Sequence, residues 1–184
     1  MEAEYSDICI TKIYSVKKYI PSFLLTLALV LAANIAMTAQ DLGDYKAKND
    51  GWLVLIEEAY SESKKTGKPI MANFTGSDWC GWCKRLDKSV FHHDEFKDWA
   101  KKNVVLLELD YPRRFQVPPF IKQQNANLQR AFQVRGFPSI WVFDMDKDAN
   151  GQFSVNALGK TGYTKTVAEF TSNIELMMER REKS

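Results

Sequence analysis

IMANF (Ile70–Phe74), VVLLEL (Val104–Leu109) and SIWVF (Ser139–Phe143) are apolar at odd and even positions almost without interruption. A strand with one wet face alternates polar and apolar residues, so runs that do not alternate need cover on both faces. Amphipathic stretches of helical period separate the three runs, which predicts helices packed on each side of one sheet. A fourth strand, Phe153–Leu158, follows the Asp-, Asn- and Gly-rich turn Asp144–Gly151 and adds an antiparallel edge. The expected architecture is α/β, with a central mixed sheet of about four strands, helices on both faces and a single core.

The connecting elements are legible in outline. Trp52, Leu55, Ile56 and Ala59 make an i, i+3, i+4, i+7 stripe after Asp50, which predicts a capped helix ending at Gly67-Lys68-Pro69. A second helix is expected from Cys80 through Leu86 and Val90. The pattern breaks at His92-His93-Asp94 and resumes at Phe96, Trp99 and Ala100. Tyr111–Pro119 holds three prolines and two arginines and is expected as a loop, with Pro118-Pro119 opening a helix that carries Ile121, Leu128 and Phe132. Gly159 and Gly162 are expected to bend the chain. Thr166-x-x-Glu169 is a capping box for a last helix facing inward with Val167, Phe170, Ile174 and Met177.

The N-terminus has a different composition. From Ile20 to Gln40 no residue is charged, and Lys12, Lys17 and Lys18 precede this apolar stretch. Basic lead, apolar run and small residues at Ala36 and Ala39 predict a secretory signal peptide over residues 1–39. An uncleaved anchor over residues 20–39 is the competing reading, because about 20 uncharged residues just span a bilayer. Either way the remainder lies outside the cytoplasm, in the periplasm or secreted. Residues 40–49 are expected as a flexible lead-in and 50–184 as one domain. The formal charge of +2 is spread without a basic stripe, which gives no footprint for nucleic acid.

Removing the leader also removes Cys9, leaving Cys80 and Cys83 in SDWCGWCKRL. With no third cysteine to pair with, these two act together or not at all. A zinc site needs about four ligands and the pair supplies two. His92 and His93 are adjacent and do not match the usual ligand spacing, so no metal is expected. An inert staple suits so short a loop between strand and helix poorly, and redox exchange is the favoured reading. A sulfur at the start of a helix is favoured as thiolate by the unpaired N–H groups there. Cys80, expected to be exposed at that end, is the candidate nucleophile, and Cys83 the candidate resolving thiol.

With these residues in view, the chain resembles the thioredoxin superfamily. The carriers are FTGSDWCGWCKRL after a buried strand and VRGFPSIWVFD some fifty residues on. The likeness covers most of Trp52–Met178, and the WCGWCK form is similar to secreted bacterial thioredoxin-like proteins. It implies a thioredoxin-like fold, a cis Pro138 facing the cysteines, and a Phe137 backbone that pairs with an extended substrate segment. Trp79 matches a family position and is a candidate for an apolar rim. Trp82, in a variable place, is equally a rim residue or a packing residue. Thioredoxins carry a buried acid in the strand before the motif, where this chain has Asn73. Asp78 is the nearby candidate for proton transfer in its place.

These features imply a cell-envelope thiol–disulfide oxidoreductase. Its expected action is to reduce protein disulfides through a Cys80 mixed disulfide resolved by Cys83, with electrons from a membrane partner. No cofactor is implied beyond the Cys80–Cys83 disulfide. A disulfide oxidase or isomerase is the enzymatic alternative. A low-turnover binding module or chaperone, with an apolar groove around Phe115 and Phe120, is the alternative from another class.

Overall fold

The computed structural model describes residues 44–181. The apolar segment before Gln40 lies outside the described residues, and so do both readings of it. Ile70–Thr75 (β1), Val105–Asp110 (β2), Ser139–Lys147 (β3) and Phe153–Thr161 (β4) form one sheet in the order β2-β1-β3-β4. β1 and β2 are parallel, with Asn73 opposite Glu108 and Thr75 opposite Asp110. β3 runs antiparallel to both β1 and β4, so the sheet is mixed, as expected.

The helices are Ile56–Thr66 (α1), Gly81–Leu86 (α2), Asp94–Asn103 (α3), Pro119–Ala131 (α4) and Val167–Arg181 (α5). A π-helical turn, Asp87–Phe91, continues α2. Side chains of β1 alternate between two apolar clusters. Met71 packs with Ile140 and Val142 against Phe96 of α3 and Phe170 and Ile174 of α5. Ile70, Ala72 and Phe74 pack with Ile56 and Ala59 of α1 and with Leu128 and Phe132 at the end of α4. Both faces of the central strand are therefore covered, which is why its sequence does not alternate.

Several local signals hold. Pro118 and Pro119 open α4, and Glu169 N donates to Thr166 Oγ1 (3.2 Å) at the start of α5. The buried positions of α5 are Val167, Phe170, Ile174 and Met177. α1 stops at Gly67, whose φ of 72° suits glycine.

Two expectations are corrected. The stripe from Trp52 to Ala59 is not one helix: α1 begins at Ile56, with Leu55 extended before it and no side-chain cap. Leu53 instead bridges Leu107 in parallel, donating to Leu106 O (2.9 Å) and accepting from Glu108 N (2.8 Å). An edge strand's backbone groups need partners, and an extended segment supplies them where a helical turn cannot. Trp52 consequently belongs to one cluster and Ile56 and Ala59 to the other. Gly159 does not end β4 but lies within it, beside a register irregularity between Val142 and Phe143. A Cβ there would come within 2.6 Å of Met177 Cγ, so the glycine makes room for α5.

Candidate active site

Because β1 and β2 are parallel, their C-terminal ends lie side by side, and the chain passes from Thr75 through a tight turn to Cys80. Trp79 N and Cys80 N both donate to Gly76 O, at 3.2 and 2.8 Å. A Cβ on Gly76 would sit 2.5 Å from the Trp79 indole, so the turn and the indole demand glycine together. Asp110, buried at the end of β2, accepts from Ser77 N (2.9 Å) and Ser77 Oγ (2.5 Å). The neighbouring strand thus fixes the approach to the cysteines.

Cys80 and Cys83 are joined as a disulfide, with Cα atoms 5.3 Å apart. Cys80 occupies the N-cap of α2, and its Sγ accepts from Cys83 N at 3.1 Å. The expectation of an exposed Cys80 is corrected: each cysteine is buried, 5% exposed. Exposure does not distinguish the sulfurs. The hydrogen bond to Cys80 does, since a donor aimed at sulfur favours its thiolate.

The other expected site residues lie in the turn before Cys80, on α2 and just before β3. Trp79 Nε1 donates to Tyr111 O (2.8 Å), its ring meets Phe137 edge-on at 5.8 Å, and Arg113 lies 3.9 Å over it. The Phe137–Pro138 peptide is cis. Trp82 is 52% exposed, with Arg85 4.5 Å over its ring and Tyr163 tilted against it at 4.9 Å. Asp78 turns towards the loop after β2. Its carboxylate accepts from Arg113 N (2.9 Å) and Arg114 N (2.6 Å), which makes it that loop's anchor.

The acids beside Cys83 are two that the sequence pattern did not single out. A cavity of about 10 Å³ is lined by Cys83, Asn73, Asp87, Glu108, Lys48 and their neighbours. Asp87 accepts from Lys48 Nζ and Asn49 Nδ2, both at 2.6 Å. Glu108 is 5% exposed and accepts from Lys48 N at 2.9 Å. Burial pushes its carboxyl up to about 7; Asp110 and Asp87 push the same way, while Lys48 opposes them. Among the described residues Asn73 Oδ1 is buried without a hydrogen-bond partner. The signal for Glu108 was an acid inside an otherwise apolar run, a place where a carboxylate is rare unless it has a purpose.

His92 and His93 are exposed. Among the described residues no three His, Cys, Asp or Glu side chains gather as a metal site. A larger groove, of about 960 Å³, runs by Trp52, Phe96 and Lys101 and touches neither cysteine.

Comparison with known proteins agrees with this geometry. A thioredoxin-like domain family matches residues 56–171. The disulfide bond reductase DsbH of Chlamydia pneumoniae is 32% identical over 110 residues, covering 60% of this chain and 66% of the reductase. The thioredoxin-related protein DsbJ of the same organism is 31% identical over 87 residues, 47% of this chain and 25% of DsbJ. The chain thus spans just under two thirds of the first relative and a quarter of the second. A solved structure of a DsbH oxidoreductase superposes with a TM-score of 0.58 at 27% identity, covering 78% of this chain and 98% of that one. With the Cys80–Cys83 disulfide at the head of a helix on a four-stranded mixed sheet, the chain belongs to the thioredoxin-like family.

Proposed function

We propose that this protein is a thiol–disulfide oxidoreductase of the cell envelope that reduces disulfides in other proteins. The observation that carries this reading is the Cys80 Sγ at the N-cap of α2, hydrogen-bonded by Cys83 N and flanked by an exposed indole. In the reduced protein that sulfur is the better thiolate. It attacks a substrate disulfide, one substrate sulfur leaves as a thiolate, and Cys83 then displaces the other to close the Cys80–Cys83 disulfide. The disulfide itself is the redox group, so the chemistry needs no further cofactor. Trp79, Trp82, Phe137 and Pro138 form the rim that receives an extended substrate segment.

The reductive direction rests on the likeness to a protein described as a disulfide bond reductase, and on Gly-Trp between the cysteines in place of the Pro-His of strong oxidants. Residues 1–39 export the chain, as a cleaved signal peptide or a retained anchor. No helix among the described residues is long and apolar enough to cross a membrane. Electrons then come from a partner held in the membrane. The decisive measurement is the reduction potential of the cysteine pair against glutathione. A value near that of thioredoxin, about −270 mV, is expected, with catalysis of insulin reduction. A value near about −120 mV would reverse the direction to oxidase. Absence of any turnover would favour a binding module.

The loop from Tyr111 to Pro118 leads from β2 to α4 at the mouth of this site. Asp78 holds its backbone, Arg113 covers Trp79, and Phe115 is exposed. In open α/β sheets the crevice beyond the strand ends binds ligand. Arg113→Ala with Phe115→Ala should slow reduction of protein substrates several-fold while leaving reduction of a small aromatic disulfide within about twofold, about 0.4 kcal/mol by transition-state arithmetic. Equal losses on both would remove the loop from substrate selection.

A further inference from the structure

We propose that Glu108 is the proton acceptor for Cys83 in the resolving step, a role moved from β1, where Asn73 stands, to the adjacent position on β2. The proposal rests on the exchange chemistry above and adds a residue to it. Asn73 and Glu108 are paired in the parallel register of β1 and β2, each 5% exposed. Both line the cavity that Cys83 also lines, which has room for about one water. Asn73 Oδ1, buried and unpartnered, can accept a hydrogen bond there but cannot carry a proton away.

The other acids nearby are already engaged. Lys48 Nζ and Asn49 Nδ2 each hold one oxygen of Asp87, and His92 approaches it at 3.5 Å. Ser77 holds both oxygens of Asp110. Among the described residues Glu108 receives one hydrogen bond, from Lys48 N to Oε1. The charged and titratable groups facing it are Lys48 and Tyr45 from the segment before α1, Asp87 from the π-turn and Asp110 on its own strand, with Lys84 of α2 on the cavity wall. Burial with those two carboxylates raises Glu108 to about 7, where it changes state near neutral pH. A base poised near the working pH is the efficient kind.

In the mixed disulfide, the Cys83 thiol gives its proton to the Glu108 carboxylate, directly or through one water. The Cys83 thiolate attacks Cys80 Sγ, the bond from Cys80 to the substrate sulfur breaks, and the substrate leaves as a thiolate that takes up a proton. The Cys80–Cys83 disulfide forms, and Glu108 returns its proton to solvent.

The test uses the full chain, reduced and mixed rapidly with 5,5′-dithiobis(2-nitrobenzoate). Attack by Cys80 releases the first thionitrobenzoate, and resolution by Cys83 releases the second. Glu108→Gln should leave the first release unchanged and slow the second about 100-fold at neutral pH. It should also replace a rate that levels off above about pH 7, where Glu108 is ionised, by one that keeps rising towards the ordinary thiol range. Adding Asn73→Asp to Glu108→Gln should restore much of the rate, because a carboxylate then reaches the same cavity from β1. A normal first release with a second within about twofold of the parent, less than 0.5 kcal/mol by transition-state arithmetic, would overturn the role of Glu108. So would a slowed second release that Asn73→Asp does not rescue. If the parent releases neither group quickly, the exchange reading itself fails instead.

Discussion

Cys83→Ser protein should accumulate mixed disulfides with its substrates, while Cys80→Ser protein should accumulate almost none. The two cysteines are equally buried as residues, so the difference is expected from electrostatics. Cys80 Sγ accepts the N–H of Cys83, and hydrogen bonding to the charged form lowers a thiol's pKa. Cys83 sits one turn further on, facing a cavity that also holds Asp87 and Glu108, and nearby negative charge disfavours its thiolate. Cys80 is therefore expected to be the reactive sulfur at neutral pH, and a serine at 83 would not complete the exchange. The measurement is non-reducing electrophoresis with mass spectrometry of the trapped species, on cells expressing each variant. Alkylation of the reduced parent at mildly acidic pH should label Cys80 first. Trapping by Cys80→Ser, or first labelling at Cys83, would reverse the assignment.

What the sequence made legible was what is encoded locally. The three non-alternating runs became β1, β2 and β3, and α5 buries the four residues its pattern named. The cysteine spacing and the Gly-Phe-Pro before a strand are short-range signals, and they correspond to a disulfide at a helix N-cap and a cis peptide before β3. What stayed hidden was set by distant parts of the chain. Trp52 to Ala59 carries a helical stripe, yet Leu53 is drawn straight by the open edge of β2, more than fifty residues away. The acids of VLLELD looked like exceptions in a strand, since the groups that give them meaning come from elsewhere. Ser77 for Asp110, and Lys48 and Asn73 for Glu108, are joined to them only by folding. Asp78 could be read from sequence as a proton carrier or as a surface turn residue, and its carboxylate accepts the backbone N–H groups of Arg113 and Arg114.

Glu108 should also leave a signature in stability that no exchange assay reads. Its carboxyl titrates near 7 in the folded protein, against about 4.5 when the chain is unfolded, mainly because burial penalises the charge. The native state therefore holds a proton that the unfolded state releases between these values, and stability falls as pH rises through that window. The contribution is fully present below about pH 4.5 and lost above about pH 7. Each pH unit of that window is worth about 1.4 kcal/mol, which makes the loss about 3 kcal/mol. Glu108→Gln keeps an oxygen to accept Lys48 N and never ionises, so it should match the parent near pH 5 and be more stable by roughly 3 kcal/mol near pH 8.5. Urea unfolding of parent and variant at the two pH values checks this, because titrating groups remote from Glu108 are common to both and cancel, while Asp87, Asp110 and Lys48, which feel its charge, enter as part of the same linkage. A difference that does not grow with pH would mean that Glu108 ionisation is not linked to folding. A difference that grows with pH means that the Glu108 carboxylate weakens the fold near neutral pH, where a neutral glutamine would not. Unlike that carboxylate, a glutamine in this cavity could not take the proton of Cys83.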